Sequence, residues 1–436
     1  MNPVVRLLYA LLLGLLHWPM QWRLAWRGRS EPLYLHQRRE RLGTYDSPAP
    51  EPGCIWVHAV SLGETRTAAV LVQQLRRVWP GMRLLLSHGT ATGRAQGQSL
   101  LQTGDNQAWL PWDSAQAVER FLAHYRPALG LLMETEVWPN LVAGCRAHQV
   151  PLVLVNARLS AKSLRAAQWL GALARPTYAS LTAVYAQTQE DAQRLRQLGA
   201  PVAAVLGNLK FDATPDAAQI ERGRAWRAQV RLPVVLLASS REGEEQTFLT
   251  LVQQYLRARA VSGADESGAV QWLIVPRHPQ RFDEVAALVK QHGLSLSRRS
   301  QWADAPQAAQ VWLGDSLGEM ALYYGMADVA LLGGSFEPLG GQNLIEAAAC
   351  GCPVVMGPHT FNFAQAAQSA IEAGAALRAA TMHEALQQTL AVLSDTPQRS
   401  AMQAAALAFS AAHTGAAQRT AQALTTVRGT TFATRP

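Results

Sequence analysis

The chain has 436 residues, 49% hydrophobic and 16% charged, with a formal charge of +8 from 39 basic and 31 acidic side chains. This excludes a disordered polyelectrolyte, and the length exceeds one ordinary core, so two α/β domains are the default expectation. The basic excess carries no arginine run interleaved with aromatics and no nucleic-acid motif, which favours phosphorylated lipid or small anionic substrates over nucleic acid.

Residues Val4 to Met20 form an apolar run broken by Arg6 and His17. A comfortable transmembrane helix needs about 20 apolar residues, so the run is short for one. Trp18, Trp22 and Trp26 are interfacial residue types, and Arg23, Arg27, Arg29, Arg38, Arg39 and Arg41 follow closely. The pattern predicts a membrane-anchor helix with a basic collar over residues 1–50. An ordinary buried first helix is the alternative.

From Cys54 the pattern alternates strands and helices. CIWVHAV is a buried strand, and the helix SLGETRTAAVLVQQLRRVWP repeats apolar residues at Ala69, Val72, Leu75 and Val78. MRLLLS, PALGLLM and VPLVLVNA read as further strands that end in polar residues, where a parallel sheet gathers its ligands. His58, Ser61, Glu64, Ser87, Thr90, Glu134, Glu136, Asn156 and Arg158 stand at those ends. Glu64 follows Gly63 in the first turn of a helix, where a carboxylate could take a proton from an attacking hydroxyl or merely complement the helix dipole. Glu134 and Glu136, two apart, are expected to face one way, either as a second acidic pair or as a cap for the Trp138-Pro139 turn.

GNLKFDA marks the exit from the first domain (51–207), and residues 208–231 read as a linker around a helix. Only Lys162, Lys210 and Lys290 are lysines, so Lys210 hints at a position needing a compact ammonium, placed to reach a phosphate from the hinge. The second domain, 232–425, repeats the strand-turn-helix logic in LPVVLLASSREGEE, VQWLIVPRHPQRF and AQVWLGDSLGEM. Arg277 is the natural phosphate partner, with a solvent-facing turn as the alternative.

Leu331 to Pro358 then reads as strand, glycine-rich turn, short helix, strand. Its glycines permit close backbone approach, and the N–H groups from Asn343 onward could hold an anion. Glu346 lies one turn after Asn343, so the two could share a ribose or base edge. Cys350, Gly351, Cys352 and Pro353 end the helix. The four cysteines make no C-x-x-C, hence neither a disulfide framework nor a zinc site, which fits a reducing cytoplasm. No D-x-D occurs, so leaving-group charge falls to Arg, Lys and helix N-termini, and no metal site or cofactor is expected.

Two facing Rossmann-like domains with a central cleft and an N-terminal anchor describe a GT-B glycosyltransferase. The segments IWVHAVSLGE, LMETEVWPNL, NARLSAKS, GNLKFD, SSREGEE, VPRHPQRF, GDSLGEM and NLIEAAACGCPVVMGPHTFNF resemble, in this order, the 3-deoxy-D-manno-octulosonic acid (Kdo) transferases. The resemblance implies transfer of Kdo from CMP-Kdo to lipid IVA at the cytoplasmic face of the inner membrane, on its phospholipid surface. It puts Glu64 at the general base and Glu134 and Lys210 at transition-state stabilisers. Pro276, Arg277, Gly318, Glu319, Met320, Asn343, Leu344, Ile345 and Glu346 fall at CMP-binding segments. The family's GGHN and STHEGEE segments carry histidine where this chain has Gln342 and Arg241. A nucleotide-sugar epimerase on the same fold and a catalytically inert scaffold are the competing readings.

Overall fold

The computed structural model describes residues 3–262 and 268–432. The chain forms two compact units, one of residues 1–212 with 414–436 and the other of residues 213–413.

The first unit holds seven parallel strands: β1 (Ile55–His58), β2 (Leu84–His88), β3 (Asn106–Trp109), β4 (Leu129–Met133), β5 (Leu152–Ala157), β6 (Ala183–Ala186) and β7 (Val202–Val205), in the order β3-β2-β1-β4-β5-β6-β7. Alternate residues feed two cores, Trp56, Leu85 and Leu132 on one face and Ile55, Val57 and Leu131 on the other. Such burial on both faces is what a parallel sheet requires. The helix Leu62–Val78 covers the second face with Ala68, Leu71, Val72 and Leu75. Of the expected apolar stripe, Val72 and Leu75 enter this core, while Ala69 is half-buried and Val78 exposed, their places being taken by Ala68 and Leu71.

The second unit holds β8 (Val234–Ser240), β9 (Gln271–Pro276), β10 (Leu296–Arg298), β11 (Val311–Leu313), β12 (Val329–Leu332), β13 (Val354–Met356) and β14 (Ala376–Arg378), all parallel, in the order β10-β11-β9-β8-β12-β13-β14. The winding direction reverses between β1 and β4 in the first sheet and between β8 and β12 in the second, where β10 also lies outside β11. Right-handed crossovers send the loops on either side of such a reversal to opposite faces and open a crevice at the strand ends.

Three segments depart from the sequence reading. The stretch 208–231 is not a linker: Leu209–Asp212 folds onto the first unit, and the helix Ala217–Gln229 is built into the second. There Gly223 and Gly325 let it meet the helix Met320–Met326 backbone to backbone, and Arg227 pairs with Asp328 at 2.7 Å. Nor do residues 414–425 belong to the second domain. The helix Ala416–Phe432 returns to the first unit, buries Ala417, Ala421 and Leu424 in its core, and is capped by Asp212 through the N–H groups of Gly415 and Ala417.

The N-terminal helix, Pro3–Ser30, docks through Leu24 beside Tyr34 and Trp109. Among the described residues no helix is long and apolar enough to cross a membrane. The first helix is not an ordinary buried one either, since Leu15, Trp18 and Trp22 are 77%, 79% and 74% exposed. Arg41 drops out of the basic collar: it is buried over the Trp109 ring at 4.1 Å and donates to Gly89 O at 3.1 Å.

A methyl group on Gly223 would lie 2.2 Å from Leu322 O, a backbone atom that cannot yield cheaply. Gly223→Ala is expected to cost about 1–3 kcal/mol through forced separation of the two helices, read as a lowered urea midpoint with an unchanged slope.

Candidate active site

Both reversals are lined by side chains that the sequence pattern marks. In the first unit Ser61 caps the helix Leu62–Val78, its hydroxyl accepting from Glu64 N at 3.3 Å, and Glu64 Oε2 accepts from Val60 N at 2.7 Å. This is a variant of the capping box, so Glu64 does serve its helix. It is also half-buried at the end of β1, and its pKa is pushed up to about 7. Burial is the main cause. Val60 N–H and Lys210 oppose it, while Glu134 and Glu136 add to it. A carboxylate poised near neutrality can both hold and accept a proton at physiological pH.

Across the reversal, β4 stops at Met133 and Glu134 turns away with φ of +56°. The expected same-face pairing of Glu134 with Glu136 therefore fails, because they do not share a strand. Glu134 is buried and pairs with Arg158 Nε at 2.7 Å and Lys210 Nζ at 3.1 Å. Two cations thus share one buried carboxylate, the arrangement a buried charge requires. Glu136 instead accepts from the Trp138 indole at 2.9 Å, the capping role left open by the sequence. Lys210 thus sits with the first unit's carboxylates. It is held there by Asn156, a buried residue at φ of +52° whose Oδ1 accepts from Leu209 N at 3.0 Å.

His58 and Ser87 prove to be interior groups. His58 Nδ1 lies 2.9 Å from Ser87 Oγ, and burial pushes the imidazole down to about 3, so it stays neutral.

In the second unit Pro276 is buried at the end of β9, and Arg277 is exposed just beyond it with its N–H donating to Ser240 O at 3.0 Å. Arg241, Arg277 and Arg281 all lower the pKa of His278, after burial, which places the cationic groups together at the β8 and β9 ends. Gly318 turns at φ of +77° and its carbonyl accepts from Gln219. Glu319 is held by Arg299 at 2.9 Å and Ser316 at 2.5 Å, and Met320 Sδ lies 3.8 Å from Ser239 Oγ.

The helix expected after Asn343 is only Leu344–Ala349, and Asn343 caps it itself by accepting from Ile345 N at 3.1 Å. One N–H expected for an anion is therefore already taken. Leu344 and Ile345 are 1% exposed and point into the core, so a ligand could meet only their backbone. Glu346 is half-buried near Tyr324 and Cys350. The two positions that depart from the resembled pattern, Arg241 and Gln342, converge: both border Gly334.

Known proteins match this arrangement. A family model described as 3-deoxy-D-manno-octulosonic-acid transferase (kdotransferase) matches residues 36–213. A 3-deoxy-D-manno-octulosonic acid transferase of Bordetella pertussis is 50% identical over 93% of this chain and 95% of its own length. The Haemophilus influenzae enzyme of the same name is 32% identical over 83% of this chain and 84% of its own. The chain belongs to the Kdo transferase family. It is therefore a glycosyltransferase. A UDP-GlcNAc 2-epimerase from Neisseria meningitidis (TM-score 0.58, 14% identity, 85% of this chain and 99% of that one) and a glycosyltransferase from Rickettsia africae (0.54, 13%, 88% and 100%) share the fold alone, a GT-B-like pair of parallel-sheet units. Fold does not separate transferase from epimerase. The sequence relatives do.

Asn156 and Arg158 are visible in the sequence only as polar strand ends, and nothing in their spacing announces that one places Lys210 and the other shares Glu134. Titration of the Glu64 carboxyl, followed by ¹³C NMR against Glu64→Gln as the blank, is expected to give a midpoint near 7. Glu134→Gln should lower that midpoint, because it removes a neighbouring negative charge and leaves Lys210 unmatched.

Proposed function

We propose that this Kdo transferase moves Kdo from CMP-Kdo to the lipid A precursor lipid IVA, by a single inverting, metal-independent displacement at the cytoplasmic face of the inner membrane. The observation that carries the reading is a near-neutral carboxylate, Glu64, at the β1–β4 reversal, beside an ion-paired Glu134 and Lys210. Glu64 takes the proton of the glucosamine hydroxyl as its oxygen attacks the Kdo anomeric carbon. CMP leaves on the opposite side with the bonding pair, so no covalent intermediate is needed. Glu134 and Lys210 stabilise the charge that shifts in the transition state, and Arg277 offsets the developing phosphate charge. The CMP moiety is read by the 276–277, 318–320 and 343–346 segments, through backbone where the side chains are buried.

Glu64→Gln isolates the chemistry, because glutamine is also accepted at that position of a capping box and keeps an acceptor for Val60 N–H. Transfer to lipid IVA is expected to fall 10²- to 10⁴-fold with CMP affinity and unfolding temperature unchanged, while the wild type works in EDTA. In the wild type kcat/KM should decline about tenfold per pH unit below a midpoint near 7, because only ionised Glu64 is a base. No product from the wild type, or an unchanged rate in the variant, would sink the proposal.

The membrane setting is supported by the N-terminal helix. Val4, Leu7, Leu8, Leu11, Leu12 and Leu15 lie exposed on it together with Trp18, Trp22 and Trp26, and Arg23, Arg29, Arg38 and Arg39 stay open to solvent nearby. An apolar face rimmed by tryptophan and arginine suits a helix lying in the interface of an anionic membrane. Beneath it a cavity of about 320 Å³ is walled by Leu13, Met20, Leu42 and Trp112, with His17 and Arg120 at its polar side. Trp18→Glu with Trp22→Glu is expected to reduce co-sedimentation with phosphatidylethanolamine–phosphatidylglycerol vesicles at least tenfold, since each lost apolar contact is worth about 1.5–3 kcal/mol. Unaltered co-sedimentation would remove this helix as the attachment.

A further inference from the structure

Glu244 begins the helix Glu244–Ser262 and is 1% exposed, although it carries a carboxylate. Its oxygens are spent wholly on backbone. Oε2 accepts from Arg241 N at 2.9 Å and Gly334 N at 2.7 Å, and Oε1 accepts from Phe336 N at 3.1 Å. Arg241 belongs to the loop after β8, whereas Gly334 and Phe336 belong to the loop after β12. These are the two strands between which the sheet order reverses. One side chain therefore ties together the two loops that elsewhere would diverge around the crevice.

The tie reaches further. Gly334 O accepts from Gly341 N at 2.7 Å, and Gly333 O accepts from Gln342 N at 3.1 Å. Asn343, the next residue, caps the helix that follows. From the carboxylate to that cap the link runs by hydrogen bonds through Gly334 to Gly341 and then along the backbone through Gln342 to Asn343. Gly333 cannot shift to compensate, since its N–H is bonded to Ala238 O at 2.8 Å and a Cβ there would sit 2.4 Å from Ser239 O.

We propose that Glu244 is the positioning residue of the 333–343 loop, fixing the backbone that reads the nucleotide of the donor; this rests on the reading of that loop as the donor site. Glu244 touches no substrate. It acts by holding three N–H groups in one arrangement, so that the loop is ordered before the nucleotide arrives and binding does not have to supply the ordering. Its neighbour Glu245 makes a useful contrast, because it is equally buried yet bonds Ser240 and Arg281 and none of the 333–343 backbone.

The test uses the full chain and three variants, Glu244→Ala, Glu244→Gln and Glu245→Gln, with amide hydrogen exchange and titration with CMP. In Glu244→Ala the peptide covering 331–343 should exchange at least tenfold faster while strands β9 and β11 keep their protection. CMP affinity and the KM for donor should worsen at least tenfold, with kcat at saturating donor within threefold of wild type. Glu244→Gln should fall between, because an amide oxygen can still accept from Arg241 and Gly334 but its NH₂ meets the Phe336 N–H. Glu245→Gln should leave the 331–343 exchange unchanged, whatever it does to unfolding temperature. The proposal is overturned by unchanged exchange in Glu244→Ala, by a rise shared by the whole unit, or by faster exchange with undiminished CMP affinity. If the wild type binds no CMP, the donor reading falls, and the exchange result alone decides whether Glu244 holds the loop.

Discussion

The reversal of strand order in each sheet is the constraint on which the site depends. Where order runs on in one direction, successive loops cross the same face and crowd the strand ends. Where it reverses, they part and leave the ends open, and whatever occupies the gap must be polar and must be held. Both units answer with carboxylates drawn in from solvent at that place, Glu134 and Glu244 buried and Glu64 half-buried. Glu64 and Glu134 flank β1 and β4, and Glu244 spans the loops of β8 and β12. The partners differ, and so does the outcome: N–H groups alone make Glu244 a fastener, two cations lock Glu134 in place, and one N–H with burial leaves Glu64 titratable near neutral pH.

The backbone follows the same geography. Glu134, Asn156 and Ser239 adopt φ between +52° and +56°, left-handed conformations that side chains seldom take. They stand at the ends of β4, β5 and β8. At Glu134 the left-handed residue takes the chain off the sheet, and the side chain is buried one residue after its strand ends; at Asn156 and Ser239 it makes a bulge, pairing resuming at Ala157 and Ser240, and Asn156 faces Leu209. Such strain persists only where surrounding bonds over-determine it. Here those bonds are the ion pairs of Glu134 and the Asn156 bond to the Leu209–Asp212 turn.

Much of this was legible in the sequence because buried parallel strands write themselves as short apolar runs with polar ends. The central strands β1, β2, β4, β5, β8, β9, β12 and β13 announce themselves in this way. All four edge strands, β3, β7, β10 and β14, do not. Edge strands are paired on one side only and are short, and β3 and β10 mix Asn106, Gln107, Ser297 and Arg298 into their pattern. The return of residues 416–432 to the first unit was equally unreadable, since an alanine-rich helix can cover either sheet and the contacts that select one, among them Asp212, the Tyr185 hydroxyl and Leu206 O, lie more than two hundred residues away. Glu64 could be found from its place after a strand. That it is raised in pKa could not, because the helix N-terminus on which it sits argues for the opposite shift and is outweighed by burial that exists only in the folded unit.

That competition makes Glu64 coherent as one residue with two tasks. A carboxylate at the third position of a helix is ordinarily a cap and stays ionised, as the N–H groups around it demand. Here the capping bond from Val60 N–H is made by Oε2 alone. The proton of an attacking hydroxyl can therefore settle on Oε1 without asking Oε2 to release the backbone, and the helix end stays closed while the charge beside it changes. Lys210, already paired with Glu134, lowers the cost of ionised Glu64 without binding it so tightly that it ceases to be a base. A lone lysine bonded directly to Glu64 would depress its pKa and strip away its basicity. Sharing that lysine with a second, buried carboxylate keeps Glu64 between the two extremes, and this is what the Glu134–Lys210 pair does beside it.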